Sequence, residues 1–496
     1  MRIGFSTIGI FATVLCTLAP RTVSAQDIIS TGCYATPAKD CLPKVDIPPQ
    51  TSADKLHEAY AQLAWQDFVA LSLPVEEAAK DGKLTSKPDV ARGLSSYADR
   101  KAHPYKPVWE TFTSADDLFQ TGVTEPIKFG SLPMLPIVCR EKLTADQKNN
   151  PPLLANIAKS GIQDEYVQAN RMGPVIDRNG NYLRYGIGFN EVMHDHVVRH
   201  KLFSSTGQDD FSKTSSRVEW PHKGDTAGSA GSIFVKSSWK TIAGEDNPDD
   251  YYTMDALIYT PRHGTFGEEP TIATDQCEVK QVGLVGLHIV HRTPSAPQWV
   301  WATFEHTNNA PYYDEIDTAE KVKTLTDSKI HYSLFDINKC VGAAGSVGCR
   351  INQVPDHPWN PLDIHKEKAT QVVRMVRPGK IAAEMNKKIA EKLDSVKGPW
   401  KNYSLVDVQF PTVLLPRNAD GVARENPAYP DGVPTPSFLA NSTMETYIQG
   451  IPSADMHGVT TGVPRVTSSC VSCHYDATTS AGTNSNFVFS LSRVKK

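Results

Sequence analysis

The stretch VGLVGLHIVHRTPSAPQWVWATFEH, residues 282–306, decides the fold. It holds two adjacent strand-like runs whose Val, Ile and Trp content suits a pleated, half-buried surface. Alternation along the second run sends Trp299 and Trp301 inward on one face. Runs of the same kind stand on either side. SIFVKSSWKTI (232–242) and YYTMDALIYT (251–260) precede it, and YSLVDVQF (403–410), ended by Pro411, follows it.

Helical spacing punctuates this pattern. Leu56, Tyr60, Leu63, Phe68 and Leu71 predict a helix stopped by Pro74, and Ile381, Met385, Ile389 and Leu393 predict another. Asn179-Gly180, flanked by alternating apolar residues, is a hairpin signal. Asn190 is placed to cap a helix through EVMHDHVVRHKLF (191–203). Further on, Pro436 opens a predicted helix, PSFLANSTMETYIQ, that Gly450 closes. The expected class is α+β, a β-rich body with several helices and a short C-terminal helical segment packed against it. The prolines between Pro411 and Pro436 read as a connector. This divides the chain into residues 1–25, a body over 26–430 and a C-terminal segment over 431–496.

Composition is ordinary for a globular protein, with 40% hydrophobic and 21% charged residues over 496 positions. Mean hydropathy is −0.35. The net charge of −4 is too near neutral for a nucleic-acid or anionic-membrane binder. Arg2, an apolar core and Val23-Ser24-Ala25 form an export signal cleaved before Gln26, and no later segment is apolar enough to span a bilayer. The expected home is periplasmic or secreted.

The chain closes on SSCVSCHYDATTSAGTNSNFVFSLSRVKK, which contains Cys470-x-x-Cys473-His474. Two thiols three positions apart on a helical turn can each add to a haem vinyl group, and the adjacent His then reaches the iron. From this composition roughly 0.005 such matches per chain are expected by chance. Structural zinc needs a fourth ligand that the tail does not offer. A dithiol exchange motif needs a βαβ context that is missing here. The expected cofactor is one covalent haem c, on Cys470 and Cys473, with His474 as proximal iron ligand.

Cys16 leaves with the signal, so six cysteines remain beside the motif. An even number in an exported chain points to disulfides, with fifteen possible pairings. Proximity favours Cys33–Cys41 and Cys340–Cys349, which leaves Cys139–Cys277; free buried thiols are the alternative.

No His or Met follows His474, so a distal ligand has to come from upstream. Met444 is the candidate on a helix, with core packing as its simpler explanation. Met456 and His457 sit in a Gly- and Ser-containing loop. His194, His196 and His200 cluster on one predicted helix, most simply as a polar face. Glu305 and His306 form a candidate acid/base pair or distal lining, against plain core and surface roles. EDNPDD (245–250) reads as a solvated loop.

WQDFVALSLP (65–74), residues 282–306, WKNYSLVDVQFP (400–411), NSTMETYIQ (441–449) and SSCVSCH resemble large bacterial exported cytochrome c family proteins with a single C-terminal CxxCH. The tail NFVFSLSR also resembles the ending of cytochrome c-prime-beta proteins. The resemblance implies covalent haem, electron transfer, a periplasmic location and an unidentified redox partner protein. Two functions follow as expectations. One is a mono-haem electron carrier. The other is a haem enzyme of peroxidase or oxidase type, or a small-ligand binder, with its distal site open to the body. A module in which the body recognises a ligand and haem reports redox state is a third.

Overall fold

A computed structural model describes residues 31–34, 41–50, 52–76, 86–103, 105–119, 124–131, 135–144, 151–156, 174–260, 276–341, 348–352, 369–411, 434–436, 438–449, 470–474 and 477–494. The export signal, most of the connector, Met456 and His457 lie outside them.

Residues 276–306 form the long antiparallel pair that the sequence demands: β6 (Gln276–Thr293) and β7 (Ala296–His306). They are the centre of a mixed sheet ordered β1-β3-β4-β6-β7-β8-β9. The other strands are β1 (Thr113–Ser114), β3 (Arg184–Phe189), β4 (Ile233–Thr241), β8 (Tyr403–Pro411) and β9 (Pro434–Thr435). β5 (Thr253–Thr260) pairs with the first half of β6, and β2 (Leu153–Leu154) adds to β5 in parallel. Central strands read as near-continuous apolar runs because both faces of the sheet are covered.

One face is covered by α1 (Ala53–Ser72) and α7 (Lys380–Leu393). Ser52 caps α1 by accepting from the Lys55 N–H. Phe68 of α1 stacks on Phe304 of β7, and Trp65 meets the same ring edge-on. His291 donates from Nδ1 to the buried Asp67 of α1 at 2.8 Å. The Asn179-Gly180 hairpin forms as read, with Gly180 at φ 84 and Ile176 bridged to Tyr182.

The opposite face carries α4 (Glu191–Arg199), α5 (Ser205–Ser212) and the C-terminal residues. Among them lies a short helix over Cys470–His474. The remaining helices are α2 (Ala115–Leu118), α3 (Ile137–Arg140) and α6 (Ala319–Ser328), so Cys470–His474 is α8. Val471, Phe487, Val488, Leu491 and Val494 share one apolar cluster with Met193, Trp220, Phe234, Trp299 and Trp301. The C-terminal segment is thus built into the sheet's core.

Three sequence expectations change. The predicted helix from Pro436 is absent, and residues 442–445 turn before a 3₁₀ segment at Thr446–Ile448. Asn441, Ser442 and Thr443 use their side chains on nearby backbone and sheet groups, which competes with helical bonding. His194 and His196 are buried, so α4 does not present a solvated polar face there, and it ends at Arg199. EDNPDD is not wholly solvated, because the Asp246 side chain is fully buried against Lys240 at 2.5 Å.

The cysteines pair as Cys33–Cys41, Cys139–Cys277 and Cys340–Cys349, with Cα separations of 4.8, 5.1 and 4.6 Å. Neither Cys470 nor Cys473 takes part in a disulfide.

Candidate functional site

The C-terminal motif is held by side chains from three directions. Gln409 of β8, fully buried, accepts from the Val471 N–H at 2.9 Å and donates to the Pro436 carbonyl at 2.6 Å. It satisfies an orphan donor in the first turn of α8 and ties that turn to the sheet. Gln208 of α5, also fully buried, donates to the carbonyls of Leu202 and Leu491 and accepts from Ser480. Arg493 reaches Asp116 at 2.7 Å.

His474 is buried at the centre of this arrangement. It is 7% exposed, 4.7 Å from the ring of Trp301 and 5.1 Å from Phe489. Its Nδ1–H donates to the Phe487 carbonyl at 2.7 Å. That bond fixes the tautomer, leaving on Nε2 a lone pair that can accept a hydrogen bond or bind a metal. The carbonyl is presented by unusual backbone: Asn486 and Phe487 both sit at positive φ, 51° and 70°. Such a conformation is costly for a bulky residue and persists only where neighbours over-determine it. Here Asn486 donates to the Val218 carbonyl and accepts from Arg217, and its N–H bonds Asn484.

Lys236 of β4 stands on the Nε2 side of His474, and its Nζ donates to that nitrogen at 3.4 Å. In register it lies opposite His288 of β6, which lies opposite Thr303 of β7. His288 Nε2 faces the Glu445 carboxylate at 3.5 Å. A polar row therefore crosses the sheet face beside the motif.

The 441–446 turn closes that row. Asn441 donates to Thr303 and to the Phe304 carbonyl, and Thr443 bonds Ser238 at 2.6 Å. Gly286 permits the approach, since a Cβ there would stand 2.4 Å from Thr443 Oγ1 and 2.6 Å from Ser238 Oγ.

The other sequence candidates have structural partners. Met444 is fully buried among Leu183, Tyr185, Val285 and Tyr447, a cluster separate from the one that holds the motif. Glu305 accepts from Arg374 Nε at 2.8 Å and from the Ser442 N–H and hydroxyl. His306 donates to the Asp250 carbonyl at 2.9 Å, accepts from the Asn308 N–H and stacks on Tyr251. Burial pushes its pKa down to about 4, so it is a neutral core histidine. The adjacent residues Glu305 and His306 are each committed elsewhere. His196, pushed down to about 3 by burial with His200, Arg199 and Arg292 adding to it, packs on His200 and Trp220. Sequence reading missed Lys236. A lysine in the middle of an apolar strand run was its one visible signal.

Among the described residues no group of three or more His, Cys, Asp and Glu gathers as a metal site. Haem attachment does not require one, because the cysteine sulfurs bond the porphyrin and only the His bonds the iron. Comparison with family models, with curated proteins and with solved structures finds no match.

Proposed function

We propose that this chain is a mono-haem c-type cytochrome that carries single electrons outside the cytoplasm. Haem c would be held by thioether bonds from Cys470 and Cys473, with His474 Nε2 as the proximal ligand. The observation that carries the reading is the state of His474. It ends the turn bearing the two cysteines outside the disulfides, and its Nδ1–H donates to the Phe487 carbonyl. Bound there, haem supplies a one-electron couple whose potential depends on axial ligation and burial. Trp301 and Phe489 pack against the imidazole, and Gln409 holds the turn. Cys473 is exposed whereas His474 is buried, so the motif straddles the surface, where a redox partner protein can approach. Three disulfides fit an oxidising compartment. No helix of the described residues is long and apolar enough to cross a membrane.

Electron carriage is favoured over the enzyme reading because Glu305 and His306 are bound into the scaffold. The test is export of the full chain from a host with haem-attachment machinery, followed by denaturing electrophoresis and haem staining. The wild-type band stains and Cys470→Ser/Cys473→Ser does not. An unstained wild-type band of normal yield would overturn the proposal.

A further inference from the structure

We propose that Lys236 is the distal axial ligand of the haem iron, an inference that rests on the haem reading above. The side chain rises from an interior strand, β4, on the face that the C-terminal segment covers, and its Nζ lies 3.4 Å from His474 Nε2. Nε2 is the only imidazole nitrogen left to bind iron, because Nδ1–H is committed to Phe487. Lys236 therefore already stands within reach of the one imidazole nitrogen that can take the iron.

The distance separates two roles for this amine. Metal–imidazole nitrogen bonds are about 2 Å, so two nitrogens bound trans to one another stand about 4 Å apart. An amine that instead donates to a small molecule on the iron stands farther off. It adds a hydrogen bond of about 2.9 Å, for roughly 6 Å or more from Nε2. The observed 3.4 Å lies within an ångström of the first value and well short of the second. Ligation makes one coordinate bond from the neutral amine, and the ammonium proton passes to solvent.

The surroundings select Lys236 over its rivals. Met444 packs in its own apolar cluster, and the 441–446 turn holds it there through Thr443 and Asn441. His288 is the register neighbour of Lys236, and its Nε2 is directed at Glu445. Thr303, next in the row, bonds Asn441.

The test uses exported, haem-loaded full-length protein, with Lys236→Ala, Lys236→Arg and Met444→Leu alongside. Lys236→Arg keeps a donor near His474 but has no amine to coordinate. The ferric wild type should be low-spin by electron paramagnetic resonance and lack the long-wavelength charge-transfer band of methionine ligation. Both Lys236 variants should become high-spin and bind azide at least about tenfold more tightly, since the site no longer has to lose an internal ligand first. Met444→Leu should leave the spectrum unchanged. Haem staining and circular dichroism confirm that each variant is loaded and folded. Near-infrared magnetic circular dichroism of the wild type identifies the ligand pair without any substitution. A high-spin wild type, a methionine band, or a low-spin spectrum retained in Lys236→Ala would overturn the assignment while leaving covalent haem intact. Loss of haem staining in the wild type would instead remove the haem reading itself.

Discussion

Replacing Arg374 by Met should destabilise the protein through one uncompensated charge. Arg374 and Glu305 are 5% and 3% exposed and meet at 2.8 Å. The guanidinium also donates to the carbonyls of His306, Thr307 and Ala310, so it closes the end of β7. Removing one partner of a buried pair costs about 3–5 kcal/mol. The Ser442 N–H and hydroxyl still face the Glu305 carboxylate, which offsets about 1 kcal/mol of that, leaving about 2–4 kcal/mol. With a urea slope of about 3 kcal/mol/M the unfolding midpoint falls by about 1 M. Tryptophan fluorescence reads it, since Trp301 and Trp299 lie in the same strand. Glu305→Leu/Arg374→Met removes both charges and should lose less than Arg374→Met alone. A midpoint shift below about 0.3 M for the single variant, or a double variant that loses the sum of both singles, would refute the reasoning.

Gly286→Ala should cost about 1–3 kcal/mol by overpacking, because its methyl would press into Thr443 and Ser238; an unchanged melting curve would show that the 441–446 turn is not seated there. Cys139→Ser/Cys277→Ser opens a loop of 138 residues and Cys33→Ser/Cys41→Ser one of 8. The loop-entropy rule gives losses of about 5 and about 2.5 kcal/mol, so the first pair should lower the melting temperature more, and the reverse order would contradict that rule here. His306 titrates near 4 when folded and near 6.5 when unfolded. The unfolded chain binds the extra proton in that window, so its contribution of about 3 kcal/mol is complete above pH about 6.5 and lost as pH falls towards about 4. His306→Asn should flatten the fall in unfolding free energy across that range. Identical slopes in the two proteins would refute it.

The sheet was legible because its strands are long, β-branched and bounded by Pro and polar breaks, and each predicted run from 232 to 410 became a strand within a few residues. Helices α1 and α7 were legible from apolar spacing, and two disulfides from proximity on the chain, with Cys139–Cys277 the pair that remained. The turn at 441–446 was not. Its Asn, Ser and Thr side chains bond Thr303, Glu305 and Ser238, residues more than a hundred positions away, and no local propensity records that. For the same reason Met444, spaced as though on a helix face, ends in an apolar pocket of its own. The CxxCH motif was plain in the sequence, but its setting was not. Lys236 meets His474 across 238 residues, and only the register of β4 beside β6 brings the amine there. Glu305 and His306 looked like a reactive pair because they are neighbours in sequence, yet strand alternation turns them to opposite faces.

The most direct measurement is mass spectrometry of the tryptic peptide spanning residues 466–493, taken from protein exported by a host that attaches haem. One haem mass added to this peptide is expected, with fragments that place it on Cys470 and Cys473 and no haem on any other peptide. An unmodified peptide with both thiols free, or joined as a disulfide, would contradict it.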